Sequence, residues 1–317
     1  MNTSNSRRIL IAVDGSEHAL EAARYAGAIL NPNTTEVVLY HALKKIDEAF
    51  WHIGTRRAFS EEMIDMKGWE AAQDEAISTF MNEIRQIFIE KGFAQDTVQI
   101  DVRPSEQGIA RDIIKESKEG YSGVFLGRKG VSKLKDLVLG GTAQKLIERT
   151  AHIPVCVVDK GAEAGTILIA MDVSEGAMKA VDYAAAMFGD TRVEIRLVHV
   201  RAVIGSFEPR YGFTYTGVLS AEGEKWLEEE RQEMTRVFEK AENKLVSAGL
   251  DRARISTNML TDEGSRAGAM IREARETGYG GIVIGRRGIS KIEEFFMGSM
   301  SHKVLQMGKG LAVWIVS

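Results

Sequence analysis

GRKGVSKLKDLVLGGT, from Gly127 to Thr142, and GRRGISKIEEFFMGSM, from Gly285 to Met300, carry one pattern of glycines twice. In each, a glycine follows a short apolar run, the next comes after two residues and a third after nine more. The pattern reads as the end of a buried strand opening into a loop that feeds a helix. Glycines permit backbone dihedrals and close approaches that a Cβ would block. The amides they expose, with the positive end of the following helix, suit an anion. A phosphate cradle, written twice, is the expectation.

The offset of 158 positions between Gly127 and Gly285 also carries Asp14 onto Asp172, Ser16 onto Ser174, Tyr25 onto Tyr183, His41 onto His199 and Gly140 onto Gly298. It reaches the terminal runs, IPVCVVD from Ile153 and LAVWIVS ending at Ser317. The 317 residues are therefore one unit of about 150 residues used twice, each copy long enough to bury its own core. Solenoid repeats are much shorter. The division is expected in KGAEAG, from Lys160 to Gly165, giving domains 1–160 and 161–317.

A composition of 44% hydrophobic and 27% charged residues is that of an ordinary globular protein. No run approaches the roughly 18 apolar residues that span a bilayer. The opening MNTSNSRR lacks the apolar stretch of a signal peptide. A cytoplasmic protein with no membrane partner is expected. The single cysteine, Cys156, lies in an apolar run and excludes an internal disulfide. A net charge of −4 gives no reason to expect nucleic acid.

Each half reads as strands alternating with helices. In the first, strands are expected at Ile9 to Val13, Val37 to Leu43, Val98 to Val102, Gly123 to Leu126 and Val155 to Val158. Helices are expected at Glu17 to Leu30, Ala71 to Glu90, Gly108 to Lys118 and from about Gly141. Continuous apolar strands separated by helices imply an α/β fold, a parallel sheet covered on both faces. Ligands in such sheets bind at carboxyl strand ends where the strand order reverses, and Asp14 and Gly127 fall at two strand ends.

ILIAVDGSEHALEAARYA from Ile9, its counterpart ILIAMDVSEGAMKAVDYA from Ile167, the strand ends LYHA and LVHV, and the glycine ladder together resemble the universal stress protein family. The resemblance covers nearly all of both halves. Its most specific element is G-x2-G-x9-G-[S/T], which Gly285, Gly288, Gly298 and Ser299 match in full. In the first half Gly127, Gly130 and Gly140 match, but Gly141 stands where the hydroxyl residue belongs, with Thr142 next to it.

The resemblance implies two tandem Rossmann-like open five-stranded sheets sandwiched by helices. In the ATP-binding branch of the family it also implies an adenine nucleotide at the strand ends. By position, Asp14 and Asp172 would approach the ribose or a phosphate-bound Mg²⁺, and Ala42 and Val200 would border adenine. Gly127, Gly130, Gly140 and Gly141 with Thr142, and Gly285, Gly288, Gly298 and Ser299, would hold ribose and phosphates. The residue chemistry agrees. A carboxylate suits a sugar hydroxyl or Mg²⁺, small apolar residues leave room for a flat base, and glycine amides suit phosphate oxygens. The C-terminal half, with its hydroxyl at Ser299, is the better expected site. Arg128, Lys129, Arg286 and Arg287 place positive charge within reach of terminal phosphates.

Each residue also has a plainer reading. An Asp after a first strand is often a helix cap, a role open to Ser16 and Ser174 as well. Loop basics are more often solvated charges. His41 and His199 read as partly buried packing residues, since no partnered nucleophile is apparent. The stripe at Met63, Met66 and Trp69, and the cluster of Tyr211, Phe213 and Tyr215, read as core or interface. HIGT at His52 to Thr55 resembles a class I aminoacyl-tRNA synthetase signature but lies past the second strand, not the first. No P-loop lysine motif or zinc-type cluster is found.

Three functions remain. The first is an ATP-binding stress or regulatory module, at most a weak ATPase, acting on a protein partner the sequence does not identify. The second is a nucleotide-independent interaction or protective scaffold, and the third an adenylyl or phosphoryl transferase, which lacks an evident base or nucleophile. The terminal strands, whose edges have unpaired backbone groups, are the expected seam of an intramolecular pseudo-dimer. Further pairing into a homodimer of four domains is a second expectation.

Overall fold

The computed structural model describes residues 6–43, 66–130, 139–202, 221–262, 264–288 and 297–317. Met63, the run from His52 to Thr55, and the Tyr211, Phe213 and Tyr215 cluster lie outside them, as do the side chains of Met66 and Trp69.

In the first half β1 (Arg7–Ala12) leads through α1 (Glu17–Ile29) to β2 (Thr35–Leu43), and α2 (Met66–Glu90) leads to β3 (Val98–Pro104). Then come α3 (Ile109–Glu116), β4 (Gly123–Gly127), α4 (Gly141–Arg149) and β5 (Val155–Val158). The second half repeats this as β6 (Thr166–Ala170), α5 (Glu175–Phe188), β7 (Glu194–Ala202), α6 (Ala221–Ser247) and β8 (Ile255–Asp262). It closes with α7 (Arg266–Glu276), β9 (Gly281–Gly285), α8 (Ser299–Met307) and β10 (Ala312–Val316).

Alternation explains why the central strands are apolar throughout. Ile9 and Ile11 face one core layer and Leu10 the other, and all three are fully buried. On the first face lie α1, α2, α5 and α6, and on the second α3, α4, α7 and α8. Among the described residues no helix is long and apolar enough to cross a membrane.

The strand order is β3-β2-β1-β4-β5-β10-β9-β6-β7-β8. Within each half all pairs are parallel, and the order reverses between β1 and β4 and between β6 and β9. The two five-stranded sheets are not separate. β10 pairs antiparallel with β5, at the seam expected of the terminal strands, and one ten-stranded sheet results. Because that pair is antiparallel, the strands of the two halves point in opposite directions, and their carboxyl ends lie at opposite ends of the sheet.

Trp314 stands opposite Cys156 in this ladder, and the 158-residue offset maps one onto the other. The pseudo-twofold axis thus passes through an unlike pair, a large ring beside a small thiol. Trp314 is fully buried, edge-on to Phe125 of the first half at 4.7 Å and to Phe188 of the second at 5.6 Å. Tyr25 and Tyr183 complete the cluster at 6.5 and 5.7 Å. Glycine makes room for each tyrosine: a Cβ at Gly281 would lie 2.7 Å from the Tyr25 hydroxyl, and one at Gly123 2.7 Å from that of Tyr183. Trp314→Ala should cost about 3–5 kcal/mol of stability, as for other buried large-to-small changes of this size. Chemical denaturation measures it, and a loss under about 1 kcal/mol would show that the cluster does not anchor the seam.

Candidate functional site

Both halves divide the work at the end of their first strand in the same way. Ser16 caps α1, its hydroxyl accepting from the Ala19 amide at 3.1 Å, and Ser174 caps α5 through Ala177 at 3.2 Å. The serines therefore do the capping. Asp14 instead accepts the Ser16 amide on Oδ1 at 3.0 Å, and Asp172 accepts the Ser174 amide on Oδ1 at 2.9 Å along with the Ser174 hydroxyl. Their Oδ2 atoms face the second glycine of each ladder. A Cβ on Gly288 would lie 3.1 Å from Asp172 Oδ2, and one on Gly130 would collide with Asp14 Oδ2.

Space, not dihedral freedom, explains the ladder. None of its glycines is among the positive-φ residues, and Gly140 and Gly298 sit at φ −66° and −60°. That corrects the dihedral half of the sequence argument. The first glycine admits a helix: a Cβ on Gly127 would lie 2.6 Å from the His18 carbonyl carbon, and one on Gly285 2.5 Å from that of Gly176. The third closes the loop, the Gly140 amide donating to the Arg128 carbonyl at 2.8 Å and Gly298 to Arg286 at 2.9 Å. These two amides are committed to the loop. The amides open to an anion are those of the first helical turn, Gly141 and Thr142 in α4, and Ser299 to Ser301 in α8, which have no partner within their own helix.

In the second half Asp172, Val200, Gly285, Gly288, Gly298 and Ser299 line one open pocket of about 480 Å³. That lies within the roughly 300–1,000 Å³ usual for small-molecule sites. Ala170, Val200, Met270 and Ile284 give it an apolar wall, and Asp172, Arg266, Arg287 and Ser299 give polar groups. A flat base and a polyanion fit such a division. In the first half Asp14, Gly127, Gly130, Gly140, Gly141 and Thr142 recur at corresponding strand and helix ends, with Ala42 buried on β2 as Val200 is on β7.

Among the described residues no group of three or more His, Cys, Asp or Glu side chains could hold a metal. Mg²⁺ at Asp14 or Asp172 would need phosphate oxygens or water for its other ligands. His41 and His199 are orienting groups: each Nδ1–H donates to the carbonyl just past its half's first strand, Val13 at 2.8 Å and Met171 at 2.9 Å. Sequence reasoning missed Arg266, whose offset partner is Gly108, and Ser301, buried with its hydroxyl on the Gly285 carbonyl at 2.8 Å. A charged residue at the start of α7 and a hydroxyl two positions after Ser299 were the available signals.

Two of the four loop basics are neither solvated nor aimed at phosphate. Arg128 is 0% exposed, and its Nη1 and Nη2 donate to the carbonyls of Leu305 and Gly308 at 2.8 and 2.7 Å, while Nε pairs with Asp159 at 3.1 Å. Arg286, at 2% exposure, donates to the carbonyls of Ile147 and Glu148 at 2.5 and 3.0 Å. Each side chain crosses the seam. Burial pushes both guanidinium pKa values down, opposed by Asp159 at Arg128 and by Glu148 at Arg286. Lys129 and Arg287 remain at the loops, and Arg287 lines the pocket.

The profile of the universal stress protein family matches residues 5–159 and again 163–309. The chain belongs to the universal stress protein family. It is 30% identical over 146 residues to universal stress protein YxiE of Bacillus subtilis (strain 168), an alignment covering 44% of this chain and 91% of that protein. The crystal structure of a universal stress protein from Archaeoglobus fulgidus DSM 4304 is similar over 98% of both chains, at 19% identity and a TM-score of 0.62. That likeness extends the tandem fold to the whole length. A universal stress protein solved in complex with cAMP matches 48% of this chain and 96% of its own, at 19% identity and a TM-score of 0.33, too slight to carry weight.

Gly285→Ala should destabilise the ligand-free protein by about 1–3 kcal/mol, because the added methyl meets the backbone of α5 rather than a movable side chain. Thermal and denaturant unfolding without nucleotide measure this. A variant as stable as the parent would contradict the close-approach account.

Proposed function

We propose that the protein is an ATP-binding stress-response module, with the stronger nucleotide site in the C-terminal half. The observation that carries this reading is the pocket at the β6/β9 switch point, which gathers Asp172, the glycine ladder, Ser299 and the apolar wall at Val200. The base would lie against Val200 and its apolar neighbours. Asp172 Oδ2 would accept a ribose hydroxyl or join Mg²⁺, and the first-turn amides of α8 with Arg287 would hold phosphate oxygens. Arg266 adds a second cation at a position where the first half has Gly108. The Asp14 site would be the weaker, with glycine at both Gly108 and Gly141.

The chemistry supplied by the residues is binding and orientation. Asp172 is held by the Ser174 amide and hydroxyl, which fixes its rotamer before a ligand arrives. His199 Nδ1–H ties the end of β7 to the end of β6, keeping the apolar wall and the carboxylate in register. We assign the protein a cytoplasmic, regulatory role in which occupancy alters the surface offered to a protein partner, and hydrolysis is at most slow.

Isothermal titration of ATP into the full chain, with mass spectrometry of nucleotide released on denaturation, tests the reading. Gly288→Val should abolish binding in the second half with the circular dichroism spectrum unchanged, since its side chain would fill the cradle beside Asp172. Asp172→Ala should weaken binding by about 1–2 kcal/mol if it accepts a ribose hydrogen bond, and more if binding requires Mg²⁺. Folded parent protein that neither carries nor binds adenine nucleotide would replace this reading with the nucleotide-independent scaffold.

A further inference from the structure

We propose that the two candidate nucleotide sites are coupled crosswise, Arg128 of the first cradle acting as a positioning residue for the second site and Arg286 of the second cradle for the first. The inference rests on the nucleotide reading above and extends it.

One residue serves two sites. The backbone of Arg128 belongs to the first cradle: it lies between Gly127 and Gly130, its amide donates to Val158 at 2.8 Å, and its carbonyl receives the closing bond from Gly140 at 2.8 Å. Its side chain leaves that cradle, crosses the seam and donates to the carbonyl of Leu305 in the last turn of α8 and to that of Gly308, which caps it. The other end of α8 is Ser299, at the second cradle. Arg286 mirrors this through Ile147 and Glu148 at the end of α4, which begins at Gly141 in the first cradle.

The crossing follows from the antiparallel seam. Since the halves point in opposite directions, the carboxyl end of each cradle helix arrives at the other half's loop. Each helix has nine residues, about 13 Å at 1.5 Å per residue, too short to absorb much displacement along its length. A guanidinium on its last carbonyls complements the negative end of the dipole, while the positive end faces the phosphate position. A phosphate that shifts the Gly127–Gly130 backbone or the Gly140 amide bonded to Arg128 therefore moves the group that holds the opposite helix. By linkage, the second ligand must act on the first by the same factor.

The hooks are not identical. Arg128 has Asp159 as counter-ion, and that carboxylate also accepts the Gly310 amide at 3.1 Å and lies 3.5 Å from His18 Nε2. The offset partner of Asp159 is Ser317, whose side chain has a hydroxyl where Asp159 has a carboxylate. Gly308 stands where the first half has Thr150, and a Cβ there would lie 3.5 Å from Arg128 Nη2. These differences make the first-half hook the more firmly set.

The test uses the full chain with its first cradle filled by Gly130→Val, so that ATP titrates only the second site. Adding Arg128→Lys should then weaken ATP binding about fivefold or more, in the range of ordinary coupling energies, because a lysine cannot bond both carbonyls as the planar fork does. Any such loss reaches the second site across the seam, through α8 and the Gly308 to Gly310 turn that follows it. Arg286→Lys in a Gly288→Val chain should weaken the first site in the same way. Should Arg128→Lys fail to fold, the ATP concentration that half-protects the amides of residues 299–301 from exchange decides: coupled sites give severalfold different values in the parent and the Gly130→Val chain, and independent sites give the same value and overturn the coupling. Unchanged ATP affinity in the Arg128→Lys chain, with or without a lower melting temperature, overturns the coupling and leaves the nucleotide reading standing. Absence of ATP binding in the parent overturns both.

Discussion

The antiparallel ladder between β5 and β10 is the constraint on which the rest depends. Either half alone would leave an apolar terminal strand as an open edge. Pairing the two closes both edges, and it does so around an unlike pair, Trp314 against Cys156, that two identical halves could not present. Two indoles on the axis would overfill the space and two thiols would leave a void. Duplication followed by divergence at one axial position thus gives a seam specific for first half against second. Among the described residues β3 and β8 are the outermost strands of the sheet.

From that ladder follows the placement of everything functional. Each cradle stands at its own switch point, and each cradle helix ends beneath the other half's loop. Hydrogen bonds from a charged donor to buried carbonyls are worth about 1.5–3 kcal/mol, more than neutral ones. The four made by Arg128 and Arg286 are therefore a substantial part of the seam. A third arginine clips the seam elsewhere. Arg7 donates to the carbonyls of Ala186 and Met187 at the end of α5, both at 2.7 Å, and pairs with Asp190. In all three cases an arginine of one half satisfies the carboxyl end of a helix in the other.

Most of the fold was legible in sequence because its signals are local. Four-residue apolar runs, the cap at Ser16 and the glycine after β4 each announce themselves within a few positions, and α1 and β5 fall within one residue of their expected bounds. The 158-residue offset made the second half as readable as the first. Asp172, Val200 and the glycines come together as the spacing implied, since strand ends and helix starts fix them. The arginines were not legible. A basic residue between two glycines looks solvated, and its destination depends on which helix the antiparallel seam delivers, a non-local fact. Gly127 and Gly285 misled more mildly: glycine can serve a phosphate or a helix backbone, and only the packing of α1 and α5 distinguishes them. Arg266 was missed because its counterpart Gly108 carries no signal.

The central claim is that an adenine nucleotide sits over the β6 and β9 ends, with its phosphates on the first turn of α8. Hydrogen–deuterium exchange of the full chain, with and without saturating ATP, tests it most directly. The account predicts slower exchange at residues 285–288 and 299–301, where the cradle amides lie. Unchanged exchange in both segments, under conditions where ATP is bound elsewhere or not at all, would contradict it.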